Sequence, residues 1–246
     1  IKMIKYEFPL NERVRKFLRI EEIFKKMQAQ ISVKKDFSDY SCFNTYFNIM
    51  ATASRTDLKV ELIQEIEKQR LKINSKIKTK KNISINNEMK KIRVQLEKSK
   101  VLTGFNFGGD KFLHELKTRS DSPSGIVITD FPDFQFWLET TSQPDRKKYF
   151  NDKLKDFYPI KNAVTYLMNQ LRSTVETKAL EATHGDVQYK LDPLLKNDLV
   201  IISLPKTLKR FPNISSNKYA INVHFGKYQS PTSSKLVKFK LGIASF

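Results

Sequence analysis

Cysteine is almost missing from this chain of 246 residues. Cys42 stands alone, so no internal disulfide can form, which suits a reducing cytoplasm. Long apolar runs are missing as well. None approaches the roughly 18 residues of a membrane-spanning helix, and the N-terminal stretch lacks the apolar segment of a signal peptide. These absences predict a cytoplasmic protein that is not inserted in a membrane. Histidine is scarce, and His114, His184 and His224 lie far apart in sequence, with no HExxH spacing, no cysteine pair for zinc and no serine-centred elbow. The stretch GlyPheAsnPheGlyGly at 104–109 has neither the Lys-Ser/Thr ending of a P-loop nor the spacing of a dinucleotide fingerprint, and reads as a turn. Cys42 sits with Phe43, Tyr46 and Phe47 on a predicted helix, where a buried, inert thiol is expected. No enzyme activity, metal or cofactor is expected from these residues.

Acid is missing from the last fifth of the chain. After Asp198 no Asp or Glu occurs, while Lys206, Lys209, Arg210, Lys218, Lys227, Lys235, Lys238 and Lys240 stand uncompensated. Over the whole chain 45 basic residues face 26 acidic ones, giving a net charge of +19 and a pI near 9.8. An anionic partner is expected: nucleic acid, a lipid surface or an acidic protein segment.

What is present is a helical middle between stranded ends. The run FPLNERVRKFLRIEE (8–22) reads as a short strand turning into a helix. Tyr6 and Phe8 alternate with Lys5 and Glu7, Pro9 ends the ladder, Asn11 caps the helix, and Val14, Phe17 and Leu18 begin its apolar stripe. Leu58, Leu62, Ile66, Ile73 and Ile77, then Met89, Ile92 and Leu96, recur at helical spacing. They predict a helical hairpin over 57–100 with a basic turn at 76–82. Gly108 to Asp110 should turn and cap a short helix. Asp130 and Asp133 should cap the helix that carries Trp137, and Pro159 should bend the stretch from Pro144 to Thr174.

After Glu176 the period falls to two. Strands are predicted around Val187–Leu191, Leu199–Leu204, Tyr219–Phe225 and Val237–Ile243, with 2–8 and Ile126–Ile128 completing the sheet. Burying Tyr219, Ile221, Val223 and Phe225 would expose Lys218, Ala220, Asn222 and His224, and burying Val237, Phe239 and Leu241 would expose Lys238 and Lys240. Were those two strands paired, one face would be a cationic platform edged by Leu236 and Tyr228. The fold class predicted is α+β, a helical bundle packed with a sandwich-like antiparallel sheet. Residues 10–120 and 130–175 would form the helical domain, and 1–9, 121–129 and 176–246 the β domain.

PLNE at 9–12, Arg13, LRIE at 18–21, ArgThrAspLeuLys at 55–59, GluLeuIleGlnGluIleGluLysGln at 61–69 and IVITDFPDFQFWL at 126–138 occur in order over almost the whole chain. Together they resemble the ZapD family of bacterial cell division. The resemblance implies a non-catalytic homodimer at the mid-cell division site. It would bind the acidic and apolar C-terminal tail of FtsZ through a basic surface and cross-link filaments. Carried over by position, it implies Lys218 as a site residue, whereas the family pattern has arginines where this chain has Ala220 and His224. The surface would then rest on Lys218, His224, Lys227, Lys238 and Lys240, with Arg19, Arg55, Lys111 and Arg119 as further family-aligned cations on helices. A nucleic-acid or general polyanion binder is the alternative, since acid-free lysines with aromatics could meet phosphates and bases. Attachment to anionic lipid is a third reading, weakened because the basic helix over 57–81 has no bulky aromatic face.

Overall fold

The computed structural model describes residues 2–33, 38–75, 79–99, 107, 109–227 and 236–246. Among them the chain runs β1 (Met3–Pro9), α1 (Glu12–Ser32), α2 (Ser38–Ala53), α3 (Thr56–Asn74), α4 (Lys80–Lys98), α5 (Lys111–Ser120), α6 (Pro132–Thr140), α7 (Gln143–Leu154), α8 (Tyr158–Ser173), β2 (Glu176–Thr183), β3 (Asp186–Lys190), β4 (Leu199–Pro205), β5 (Arg210–Ser216), β6 (Ala220–Lys227) and β7 (Leu236–Ala244). The fold is α+β. It divides into two compact units, Ile1–Leu18 with Leu167–Phe246, and Arg19–Tyr166.

The first unit is built on one seven-stranded sheet in the order β1-β4-β7-β2-β3-β6-β5, with every neighbouring pair antiparallel. Alternation sends Val200, Ile202, Ile221, Val223, Phe225, Val237, Phe239 and Leu241 to a common core, where Tyr6, Phe8, Val187 and Tyr189 join them. Phe225 and Phe239 meet there with ring centroids 4.9 Å apart although their strands are not neighbours. The Tyr6 hydroxyl of β1 lies 3.5 Å from the Arg210 carbonyl of β5, so the two edge strands approach each other and the sheet is coiled around its own core. On the outer side Gly242 leaves room for Val175, since a Cβ there would stand 2.6 Å from Val175 Cγ1. Beside it Arg172 grips Glu7 through two hydrogen bonds of 2.7 and 2.8 Å.

The start of α1 is fixed by Asn11. Its Oδ1 accepts the Val14 amide at 2.9 Å, as an N-cap should, while its Nδ2 donates to the buried Asp198 carboxylate at 2.6 Å. Asp198 also accepts the Phe246 amide at 2.8 Å, and its main chain bonds Leu10 and Ala244. The cap was readable from sequence; its second partner was not.

In the second unit α3 and α4 form the expected hairpin, with Leu58, Leu62, Ile66, Met89, Ile92 and Leu96 buried. Arg70 reaches Asn86 and Arg93 reaches Glu67 across it, while Lys59 donates to the carbonyls of Glu97 and Ser99 at the negative end of α4. The basic turn expected at 76–82 lies partly outside the described residues. Helix α4 already begins at Lys80, capped by Thr79, whose hydroxyl accepts from the Asn82 amide. Asp110 caps α5 as expected, with Gly109 at φ +85° before it; Gly108 is outside the described residues. Around Phe43 the rings of Phe47, Phe112, Phe134, Trp137, Tyr149 and Phe150 pack with centroids 4.8–6.4 Å apart. The break before Pro159 is present, as a short 3-10 turn at Lys155–Phe157.

Four expectations are corrected. Ile126–Ile128 is not a strand: Gly125 at φ +69° precedes it and a 3-10 turn at Ile128–Asp130 follows, leading into Pro132 at the first position of α6, so three apolar residues have no room to pair. Asp130 and Asp133 do not cap α6 through their side chains; the cap position is Phe131, and Asp133 only adds a carboxylate to the first turn. Tyr219 is exposed and Ala220 buried, because Asn217 accepts both amides and turns the chain before β6 begins. Strands β6 and β7 are not paired, because the β2–β3 hairpin lies between them.

Replacing Asn11 by Ala should destabilise the sheet unit by about 2–4 kcal/mol in urea denaturation, since it removes a cap and leaves a buried carboxylate short of a donor. Asn11→Asp keeps the capping oxygen but sets a second carboxylate against Asp198, and should not restore stability.

Candidate functional site

Separation of β6 from β7 divides the cations expected on one platform. On β7, Lys238 and Lys240 do point outward, as the alternation required. Lys240 lies in a cross-strand row with Ser203 of β4 and Lys5 of β1, and Lys5 is likewise exposed. Adjacent strands stand about 4.8 Å apart, so these two lysines are about 10 Å from each other on the sheet. Lys238 meets Glu181 of β2 at 3.3 Å, both side chains exposed, an arrangement that contributes little stability and leaves the lysine available to a competing carboxylate.

On β6 the charge is weaker than the sequence suggested. The Nδ1 of His224 is 2.7 Å from the Asp186 carboxylate of β3. A neutral imidazole donating to that carboxylate leaves the pair at −1, and protonation brings it only to zero. In neither state is this position a net cation. The rows around it are polar: Asp186, His224 and Asn213 stand opposite one another, as do Gln188, Asn222 and Ser215, with Gln188 donating to Asn222 at 2.9 Å. Lys227 lies at the end of β6 opposite Arg210, whose guanidinium is buried and donates to the Phe225 carbonyl at 3.2 Å. Lys218 lies before β6 with its ammonium 5.1 Å from the centre of the exposed Tyr219 ring. Tyr228 is outside the described residues; Leu236 opens β7 and is partly exposed.

The four remaining candidates belong to the helical unit. Arg19 is exposed on α1. Arg55 precedes α3 and pairs with Asp57 at 3.4 Å, the ordinary helix-surface ion pair. Lys111 is exposed at the start of α5. Arg119, in the last turn of α5, stacks its guanidinium 4.9 Å from the Phe131 ring, so part of its cationic face is already used.

Two groups were missed by sequence reasoning. Lys5 was legible, since Tyr6 and Phe8 inside require Lys5 outside. Lys178 was not, because its neighbour depends on sheet order: its ammonium donates to the Tyr189 hydroxyl at 3.1 Å, and that hydrogen bond raises the amine above its ordinary value. Among the described residues no three His, Cys, Asp or Glu side chains come together as metal ligands would, and no helix is long and apolar enough to cross a membrane.

A cationic strand face beside a buried, capped strand-to-helix junction is what the chain presents, and comparison with known proteins gives the family of the chain that carries it. The family model described as ZapD, cell division protein, matches residues 18–224. This chain belongs to the ZapD family. Similar curated proteins, each named cell division protein ZapD, come from Dechloromonas aromatica (29% identical, covering 92% of this chain and 90% of the relative) and Azoarcus sp. (28%, covering 91% and 90%). That of Nitrosomonas eutropha is 28% identical over 99% of this chain and all of its own length. The family is one of cell division proteins and not a known family of enzymes.

Cys42 tests the non-catalytic reading of its own thiol. Burial, with a smaller contribution from the Asp39 carboxylate, pushes it up to about 12, so the reactive thiolate is scarce at neutral pH. The native protein should not react with a maleimide at neutral pH within the time that urea-unfolded protein takes up one equivalent.

Proposed function

We propose that this protein is a non-catalytic cell division factor that binds the C-terminal tail of FtsZ and bundles FtsZ filaments at the mid-cell division site in the cytoplasm. Membership of the ZapD family carries the reading. The acid-free sequence after Asp198, folded into strands that turn Lys238 and Lys240 outward, supplies a surface of the right sign for an acidic tail. Lys5 joins them through the β1-β4-β7 pairing, while His224, tied to Asp186, contributes no net positive charge. Tail affinity therefore rests on β7 more than on β6. Homodimerisation would present two such surfaces, and two weak tail contacts on neighbouring filaments combine into one strong cross-link. Arg19, Arg55, Lys111 and Arg119 are proposed as secondary cationic contacts on the helical unit.

The experiment is fluorescence anisotropy with a labelled FtsZ C-terminal tail peptide, a charge-matched scrambled peptide and a single-stranded oligonucleotide at physiological salt. The true tail should bind in preference to both others. Lys238→Glu with Lys240→Glu should weaken it roughly tenfold or more, about 1.4 kcal/mol per decade. Equal binding of all three probes, or tighter binding of the oligonucleotide, would replace this reading by a general polyanion binder.

A further inference from the structure

Strands β2 and β3 follow one another through the turn His184–Gly185, where both residues have positive φ, 55° and 90°. Such a two-residue turn ordinarily starts a hairpin paired along its length. Here the pairing recorded among the described residues is a single rung, Thr183 opposite Asp186. Each strand instead pairs fully with its outer neighbour: β2 with β7 from Glu176 to Thr183, and β3 with β6 from Asp186 to Lys190. Beyond the turn the hairpin is therefore open. Every second backbone amide and carbonyl of β2 and of β3 faces the gap, as at the exposed edge of a sheet.

The gap is a groove of about 470 Å³, in the size range of small-ligand sites. Leu241 and Ile243 of β7 floor it, Glu176 and Lys178 of β2 form one wall, and Tyr189 and Leu191 form the other. Lys178 Nζ and the Tyr189 hydroxyl, 3.1 Å apart, meet across it through the tips of two long side chains in place of backbone pairing. Leu195 lines it at 66% exposure, and its neighbour Leu194, at 92%, is the most exposed of the large apolar side chains described. Two adjacent leucines held in water beside unpaired strand edges are the features of a surface that another chain covers.

We propose that the opening between β2 and β3 is a docking slot for an extended peptide segment, which adds as a strand through main-chain hydrogen bonds. This rests on the tail-binding reading and names where the FtsZ tail seats. The occupant carries an apolar side chain over Leu241 and Ile243 and a carboxylate within reach of Lys178 or Lys190. Glu176 and Asp192 in the lining disfavour a uniformly anionic ligand such as nucleic acid, so the groove selects a chain of mixed apolar and charged residues. The slot also lies between the two separated groups of cations, one strand in from Lys238 and Lys240 on β7 and one strand in from Lys227 on β6. A strand seated there is bordered on both sides by lysine-bearing ladders.

Two measurements on the full chain decide the matter. Hydrogen exchange with and without the FtsZ C-terminal tail peptide should show slowed amides in 176–182 and 187–190. The double variant Glu181→Cys with Gln188→Cys places a disulfide two rungs beyond Thr183–Asp186 and holds β2 and β3 at a spacing of one strand, too close to admit a third between them. Oxidised, it should bind the tail at least tenfold more weakly than wild type, and reduction should restore binding. Protection confined to β6 or β7, or undiminished binding by the oxidised form, overturns the slot while leaving tail binding intact. Absence of tail binding by the wild-type chain overturns both. Exchange gives its answer even where the crosslink fails to close.

Discussion

The carboxylate of Asp198 is the point on which the sheet unit turns. It is wholly buried, and a buried carboxylate is tolerable only when its oxygens are occupied by donors. Asn11 and the amide of Phe246 supply them from the two ends of the chain, Lys196 adds an ammonium 3.3 Å from Oδ1, and the main chain of Asp198 bonds Leu10 and Ala244. The ends of β1, β4 and β7 are thereby aligned where Pro9 stands opposite Leu199 and Leu199 opposite Ala244. Because Asn11 is also the cap of α1, one side chain ties the start of the first helix to the buried carboxylate at the strand ends. The PLNE segment is thus a structural clamp, a role separate from the basic surface that its neighbouring arginines suggest.

Sheet order then decides where charge can gather. Insertion of the β2–β3 hairpin between β7 and β6 converts a single cationic platform into two ladders with different chemistry. One carries Lys5, Lys238 and Lys240 with a partial counter-charge from Glu181. The other is a polar strip of Asn, Gln and Ser side chains in which His224 is neutralised by Asp186. At positions 220 and 224 β6 carries a buried alanine and a histidine bound to an acid, so neither adds a permanent cation to the strand.

Period-two alternation exposed β1, β3, β6 and β7 in the sequence because each has an apolar inner face against a more polar outer one, and β4 was legible as a continuous apolar run because it is buried on both faces. It did not expose β2, where Ala182 is the one fully buried side chain and Lys178 stands on the inner side, nor β5, an edge strand interrupted by Pro212. Both are weakly patterned because one borders the open groove and the other ends the sheet, so neither is packed on both flanks. The helical hairpin, the Asn11 and Asp110 caps and the break before Pro159 were legible because they rest on local chemistry. Pairing partners were not, since no local signal distinguishes a hairpin that stays closed from one whose strands are each captured by a third. The same limit hid Lys178 and its contact with Tyr189.

The aromatic cluster around Phe43 has a consequence for how the molecule can be observed. Trp137 is the sole tryptophan, and it is packed among Phe43, Phe112, Phe134, Tyr149 and Phe150 in the helical unit. Indole emission excited above the tyrosine band therefore originates from that unit alone. The sheet unit, which bears the β7 lysines and the open hairpin, contributes no intrinsic chromophore of that kind. Moving the indole, with Trp137 replaced by Phe and a tryptophan set on a sheet strand, would shift that report to the other unit, and the two proteins side by side would follow each half of the chain in turn.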